Sequence, residues 1–217
     1  MNYNISQNGA GFIANESNHD IGLYSSGIET CSVYVFYGHQ GIVLIHDSGQ
    51  AMVESIIDLA KRCGTLERAY YALNPTYASI EEYKTKFQRH RLRRGQIHNA
   101  IGLQQEIKAL NVAQGSILVR HDKIITSFLS ESLLDLIKSP HHKQREMINM
   151  LNDCFIDNKT QSTPLDLQFD IDAYTALPKL LKTKAEMQQI AMHKETNIHN
   201  LGYLKLLRTA ENMGVFV

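Results

Sequence analysis

Thr30-Cys-Ser-Val-Tyr-Val-Phe-Tyr37-Gly-His-Gln-Gly41-Ile-Val-Leu-Ile-His46-Asp-Ser-Gly49 is the stretch on which the fold turns. Cys31 to Tyr37 is β-branched and aromatic and reads as a strand. Gly41 to His46 reads as a second strand, and Gly38-His39 between them fits a two-residue type II′ turn with glycine at its first central position. In that register Tyr37 pairs with Gln40, and Cys31 comes directly across from His46. Directly opposed residues have Cβ atoms about 4.5–5.5 Å apart, close enough for thiol and imidazole to meet. A register shifted by two residues keeps both on one face, diagonal to each other. A shift of one sends them to opposite faces.

Downstream, Met52, Val53, Ile56, Ile57 and Ala60 recur at three-to-four spacing, as in an amphipathic helix. Asp47 or Ser48 is placed to cap its start, and Gly64 to end it after Lys61 and Arg62. Ala69 to Leu73 then reads as a third strand closed by Asn74-Pro75. This order predicts an α/β (α+β) fold of packed mixed β-sheets flanked by helices. Residues 1–20, rich in Asn, Ser and Gly, read as a loosely ordered lead-in with a short strand at Gly11–Ala14. Residues 21–217 are expected to form a single domain, with a core over 22–128 and a helical accessory part over 129–217. Ser79-Ile-Glu-Glu82 has capping-box spacing and opens a helix towards Arg91, with a second helix over Ile97–Leu110. Ser116–Arg120 and Lys123–Phe128 read as a hairpin, and Leu165–Ile171 alternates like a strand. Further helices are expected at Ser132–Lys138, Lys143–Phe155, Pro178–Met192 and Asn200–Asn212, with a loop over Asp157–Pro164.

A cysteine and a histidine so placed have a chemical use. A free thiol has a pKa of about 8.5 and is mostly protonated at neutral pH. An adjacent imidazole takes its proton and holds a thiolate–imidazolium pair, which puts the expected thiol pKa well below the free value. Cys31 is thus read as nucleophile and His46 as base, with backbone N–H groups near Cys31 stabilising the oxyanion. A third group orients the imidazole. The candidates are the hydroxyls of Ser25 and Thr30 or a backbone carbonyl, and Ser25 is favoured because the Ser25-Ser26-Gly27 bend can fold back over the hairpin. Asp47 is carried with Thr30 as an oxyanion-side or orienting candidate, although an Asp here is more often a helix cap.

Thr30-Cys31, an apolar strand, a short turn, a second apolar strand, His46-Asp47-Ser48-Gly49, then helix and strand, resembles the CheD and cytotoxic-necrotizing-factor deamidase superfamily. Its local style is most similar to protein N-terminal asparagine amidohydrolase, and the fifteen-residue interval from Cys31 to His46 resembles that of the necrotizing-factor toxins. The resemblance implies packed sheets flanked by helices and a cofactor-free deamidation of Gln or Asn carboxamide on a protein substrate. It covers Gly22 to Pro75. CheD proteins have Gly-Ser where this chain has Glu29-Thr30, and Leu-Pro shortly after the histidine, which this chain lacks. Ser25 stands where their orienting Thr stands, six residues before the cysteine.

Two competing readings stay open. The laccase-domain purine nucleoside enzymes share a similar cysteine-to-histidine hairpin but add a histidine, a metal and His-Ala-Gly-Trp. This chain has no Trp, and His19 is its only histidine upstream of Cys31. The other is a non-catalytic protein-interaction module on the same scaffold, in which Cys31 is a buried core residue, as cysteines commonly are.

The 217 residues, 43% hydrophobic and 20% charged, suit an ordinary globular core. A formal net charge of zero gives no global attraction to nucleic acid or to a membrane surface. No apolar run approaches a membrane span, and residues 1–20 lack a signal-peptide core. Three widely spaced cysteines, Cys31, Cys63 and Cys154, suggest neither a disulfide framework nor a zinc site. A cytoplasmic location is expected, and an effector delivered into a host cell without a cleaved signal would read the same way. Cys63 and Cys154 are expected in the core, His39 in an exposed turn, and Tyr70 and Tyr71 in core and rim packing. Arg89, His90, Arg91, Arg93 and Arg94 form one dense basic cluster, suited to phosphates or an acidic partner surface; with no interleaved aromatics and no net charge, a solvated helix end is the expected reading.

Overall fold

The hairpin forms, with its turn one residue later than the sequence suggests. In the structure, a computed structural model that describes residues 1–134, 137–138 and 165–171, β4 (Ser32–Gly38) and β5 (Gly41–Asp47) pair antiparallel. Gly38 lies across from Gly41, so His39 and Gln40 make the turn. The reason is close backbone approach. A Cβ on Gly38 would run into the carbonyl oxygen of Cys63 and reach within 2.8 Å of that of Thr65, and one on Gly41 would run into the carbonyl oxygen of Ile13. Both glycines are therefore needed in the strands themselves.

Two mixed sheets pack face to face. The larger runs β11 (Asp166–Ile171), β2 (Gly9–Ala14), β5, β4, β6 (Leu66–Leu73) and β7 (Lys108–Asn111). The smaller runs β10 (Ile137–Lys138), β1 (Asn2–Asn4), β3 (Gly22–Ser26), β8 (Ser116–Val119) and β9 (Ile124–Ile125). In β4 the odd residues Val33, Val35 and Tyr37, and in β5 the even residues Ile42 and Leu44, pack with Ile5, Leu23, Ile28 and Ile117 between the sheets. The opposite faces, Tyr34, Phe36, Val43 and Ile45, pack with Ile56, Ala60 and Ile97 of the helices. Both faces of this hairpin are buried, which is why its strands read as near-continuous apolar runs.

Helices α1 (Val53–Arg62), α2 (Pro75–Ala78), α3 (Lys84–Ile101) and α4 (Glu131–Leu134) complete the described elements, with a 3-10 turn at Glu81–Tyr83. Gly64 ends α1 with φ 74°, as its sequence position suggested. Met52, not Asp47 or Ser48, stands at its N-cap.

Three expectations are corrected. Residues 1–20 are not a loose lead-in. They supply β1 and the central strand β2, with Asn2, Ile5, Ala10 and Ile13 wholly buried. Their polar look comes from glycines and from amides bonded inside the fold. The two helices expected across Ser79–Leu110 are one helix, α3, stopped by Gly102 in the left-handed region at φ 67°, after which Lys108–Asn111 is a strand. Ile137–Lys138 is a strand, not the end of a helix. The hairpin about His121-Asp122 and the strand at Leu165–Ile171 are present. The helices expected over Lys143–Phe155, Pro178–Met192 and Asn200–Asn212, the loop at Asp157–Pro164, and Cys154 lie outside the described residues.

Candidate active site at the end of the sandwich

Strand alternation decides which side chains meet. Val33 lies directly across β5 from His46, so the register is the one shifted by two. Cys31 precedes β4 by one residue; continued through it, the alternation of that strand would carry it to the inter-sheet face occupied by Val33. On that continuation Cys31 and His46 would be diagonal neighbours, a relation in which backbones stand about 7–8 Å apart and side chains remain within reach.

Ser25 reaches the same end from the facing sheet. It sits in β3 two residues after the inward-pointing Leu23, and it is fully buried. Its hydroxyl donates to the carbonyl of Ile5 at 2.8 Å and lies 2.8 Å from His46 Nδ1. A serine has one proton to give. With that proton on Ile5, Ser25 Oγ accepts from His46 Nδ1–H, and the imidazole carries its lone pair on Nε2. The third position thus holds the ring in the tautomer a base requires. The carbonyl of His46 accepts from the N–H of Asn8 at 2.6 Å, fixing the end of β5 from the other side.

The segment before Cys31 is held at four points. Ile28 donates from its N–H to Gly115 at 2.9 Å and accepts at its carbonyl from Asn74 Nδ2 at 3.1 Å. The Thr30 hydroxyl accepts from Lys86 Nζ at 2.5 Å, and the Thr30 carbonyl accepts from His90 Nε2 at 3.1 Å. Thr30 is therefore tied to α3 and not to His46.

Asp47 is likewise not an orienting group for His46. As the next residue in β5 it points to the opposite face of the sheet. There Oδ1 accepts from the N–H groups of Gly49 at 2.8 Å and Ala51 at 3.3 Å, and Oδ2 accepts from Arg93 Nε at 3.0 Å. Arg93 also donates to the Ala51 carbonyl at 2.6 Å. Asp47 shapes the turn after β5 and pins α3 to it.

His90 and Arg93 were expected in solvent, and this too is corrected. They are 5% and 1% exposed. Residues 90, 93 and 97 recur at three-to-four spacing along α3, the period of a buried stripe. That spacing was visible in the sequence, but two of the three residues are polar and masked it.

The electrostatics of Cys31 also differ from expectation. The side chain keeps 7% of its surface, and burial pushes its thiol up to about 11, with nearby Lys86 pulling the other way and Asp47 and Glu29 adding to the rise. At neutral pH the thiol is protonated at rest. Cys63 is buried as expected, His39 is exposed and faces Glu67 across 3.3 Å, and Tyr70 and Tyr71 are partly buried, one against each face.

His19 does not join this group. Its ring meets that of His121, with centroids 4.9 Å apart. Among the described residues no cluster of three or more His, Cys, Asp or Glu side chains is placed to hold a metal ion, and no helix is long and apolar enough to cross a membrane. The chain matches no protein-family model and none of the curated proteins with which it was compared.

Proposed function

We propose that the chain is a cysteine-dependent amidohydrolase that deamidates Gln or Asn carboxamide of a protein substrate, with Cys31 as nucleophile, His46 as base and Ser25 orienting the imidazole. The observation that carries the reading is the buried contact of Ser25 Oγ with His46 Nδ1 at 2.8 Å. With the Ser25 proton on the Ile5 carbonyl, Nε2 is the nitrogen that would act as base, and continued strand parity would bring Cys31 to the same face. The local resemblance to the CheD and necrotizing-factor deamidases supports the same chemistry.

A thiol that rests protonated reacts by general-base catalysis. Sγ attacks the carboxamide carbon as its proton passes to His46 Nε2. The tetrahedral adduct collapses, His46 returns the proton to nitrogen, and ammonia leaves a thioester. Water, deprotonated by His46, then adds to the thioester, and its collapse restores the thiol and releases a carboxylate. Close to the buried thiol in the chain, Gly27 and Glu29 are exposed.

The near-complete burial of Cys31 favours one second reading, an interaction module in which the dyad is structural. One assay separates the two. The protein is incubated with unfolded casein and with peptides bearing internal Gln, internal Asn or amino-terminal Asn, and products are weighed. The enzyme reading expects ammonia release with a gain of about 1 Da per site, abolished by Cys31→Ala and by His46→Ala. No mass change on any of these substrates, or a change that survives Cys31→Ala, favours the interaction module.

A further inference from the structure

We propose that the groove between α3 and the β6–β7 side of the larger sheet binds a small phosphate-bearing ligand, with Arg91 and Arg94 holding the phosphate. α3 carries Lys84, Lys86, Arg89, Arg91, Arg93 and Arg94 and not one Asp or Glu. Three of these cations are engaged, Lys84 by Glu81, Lys86 by Thr30 and Arg93 by Asp47. Arg91 and Arg94 belong to no ion pair among the described residues. Arg94 instead lies over the ring of Tyr71, 3.9 Å from its centroid.

Both arginines, with Tyr71, line two adjoining hollows of about 330 and 540 Å³. Small-molecule sites commonly span about 300–1,000 Å³. The first hollow has Ser32, Tyr34 and Phe87 on its wall together with His90, whose buried Nδ1 makes no hydrogen bond and stands 4.0 Å from Asp47 Oδ2. The second adds His98 and Lys108, with Glu106 as its one carboxylate. In a chain with no net charge, this is a concentrated surplus of positive charge beside aromatic rings. Guanidinium forks match phosphate oxygens in geometry and charge, and aromatic walls suit a planar ring. The size of the hollows favours a small ligand over a macromolecule.

The site lies on the helix-packed face of the sheet, opposite the face on which His46 meets Ser25, so it does not depend on the proposed chemistry there. The two are nevertheless adjacent. Ser32 follows Cys31, and His90 holds the carbonyl of Thr30.

Calorimetric titration of the full chain with inorganic pyrophosphate, ADP and adenosine, with thermal shift as a second readout, tests the proposal. Saturable binding and a raised Tm are expected with the phosphate-bearing probes and not with adenosine. Arg91→Ala with Arg94→Ala should weaken binding about tenfold or more for each arginine lost, and the Lys pair at these positions should retain part of the affinity. ADP binding more tightly than pyrophosphate assigns the site to a nucleotide, and the reverse order assigns it to the inorganic anion. Absence of binding by the intact chain, equal binding by the double Ala variant, or adenosine binding as tightly as ADP overturns the proposal. None of these outcomes bears on whether Cys31 is catalytic.

Discussion

The hydroxyl of Ser25 stands 2.8 Å from Nδ1 of His46 and joins the two sheets through a single side-chain hydrogen bond. Because its proton goes to Ile5, the bond runs from ring to serine. Nitrogen-resolved NMR should find neutral His46 protonated at Nδ1. Ser25→Ala removes one acceptor and one donor from a fully buried position and should lower stability by about 1–3 kcal/mol. It should also admit the other tautomer. A wild-type His46 protonated at Nε2 would contradict the assignment of the lone pair.

The Cys31 thiol, raised to about 11 by burial, should react slowly at rest. At pH 8 its thiolate fraction is below that of an unfolded cysteine by on the order of a hundredfold. Iodoacetamide should therefore label native Cys31 far more slowly than the same residue in urea, and His46→Ala should leave the native rate little changed. Labelling faster in the native state than in urea, and slowed by His46→Ala, would mean that a thiolate–imidazolium pair stands ready in the resting protein.

The same burial sets a dependence of stability on alkaline pH. Burial lifts both thiols above the ordinary range of about 8.5–9, Cys31 to about 11 and Cys63 to about 12. Above pH 9 the unfolded chain loses protons that the native chain keeps. Stability is then fully present below 9 and falls as pH climbs towards each native value. Cys31 alone withdraws on the order of 3 kcal/mol across its window. Urea midpoints between pH 8 and 11 should decline, and Cys63→Ala should flatten the decline. Midpoints that hold steady to pH 11 would mean that the thiols ionise as freely in the native chain as in the unfolded one.

How much of this was legible beforehand depends on where the information resides. The two hairpin strands, α1 and the strand after it announce themselves through period and composition. The register differs from the expected one by two residues, and a slip of two leaves side-chain parity along the hairpin unchanged. The turn itself was misplaced because Gly38 and Gly41 answer to carbonyls of Cys63 and Ile13, contacts made by distant parts of the chain. Asn2 and Asn8 look like solvent-loving residues until their partners arrive. Arg120 Nη2 donates to Asn2 Oδ1 at 3.1 Å, and the Ser48 hydroxyl donates to Asn8 Oδ1 at 2.8 Å. His90 and Arg93 were misjudged for the same reason, since burial of a polar side chain is decided by its partner, and Asp47 is more than forty residues away in the chain.

Gly38→Ala tests the hairpin directly. The new methyl meets backbone carbonyls of Cys63 and Thr65, which cannot rotate aside as a side chain can. The end of α1 and the β4–β5 turn must separate, at a cost in the range of about 1–3 kcal/mol or more. A substitution of the exposed His39 by Asn should be nearly silent, within about 0.5 kcal/mol. Thermal denaturation of the two variants should rank them in that order. A Gly38→Ala protein as stable as wild type would show that the turn is not packed against α1.

The bond between β5 and α3 rests on Asp47 and Arg93, and its energy is measurable as a coupling. Both side chains are essentially out of water, and Arg93 Nη2 stands 3.0 Å from Asp47 Oδ2. Arg93→Met leaves a buried carboxylate uncompensated and should cost about 3–5 kcal/mol. Asp47→Asn keeps an acceptor for the Gly49 and Ala51 N–H groups but strands the guanidinium, so it too should destabilise. The double variant leaves neither charge unpaired, and its loss should be smaller than the two single losses combined. Because α3 also holds Thr30 through Lys86 and His90, Arg93→Met should raise the native alkylation rate of Cys31 as the helix loosens. Urea unfolding of the three variants, with alkylation measured on each, reads both effects. Strict additivity would place Asp47 and Arg93 in separate environments, and unchanged labelling in a destabilised Arg93→Met protein would uncouple α3 from the segment that carries the thiol.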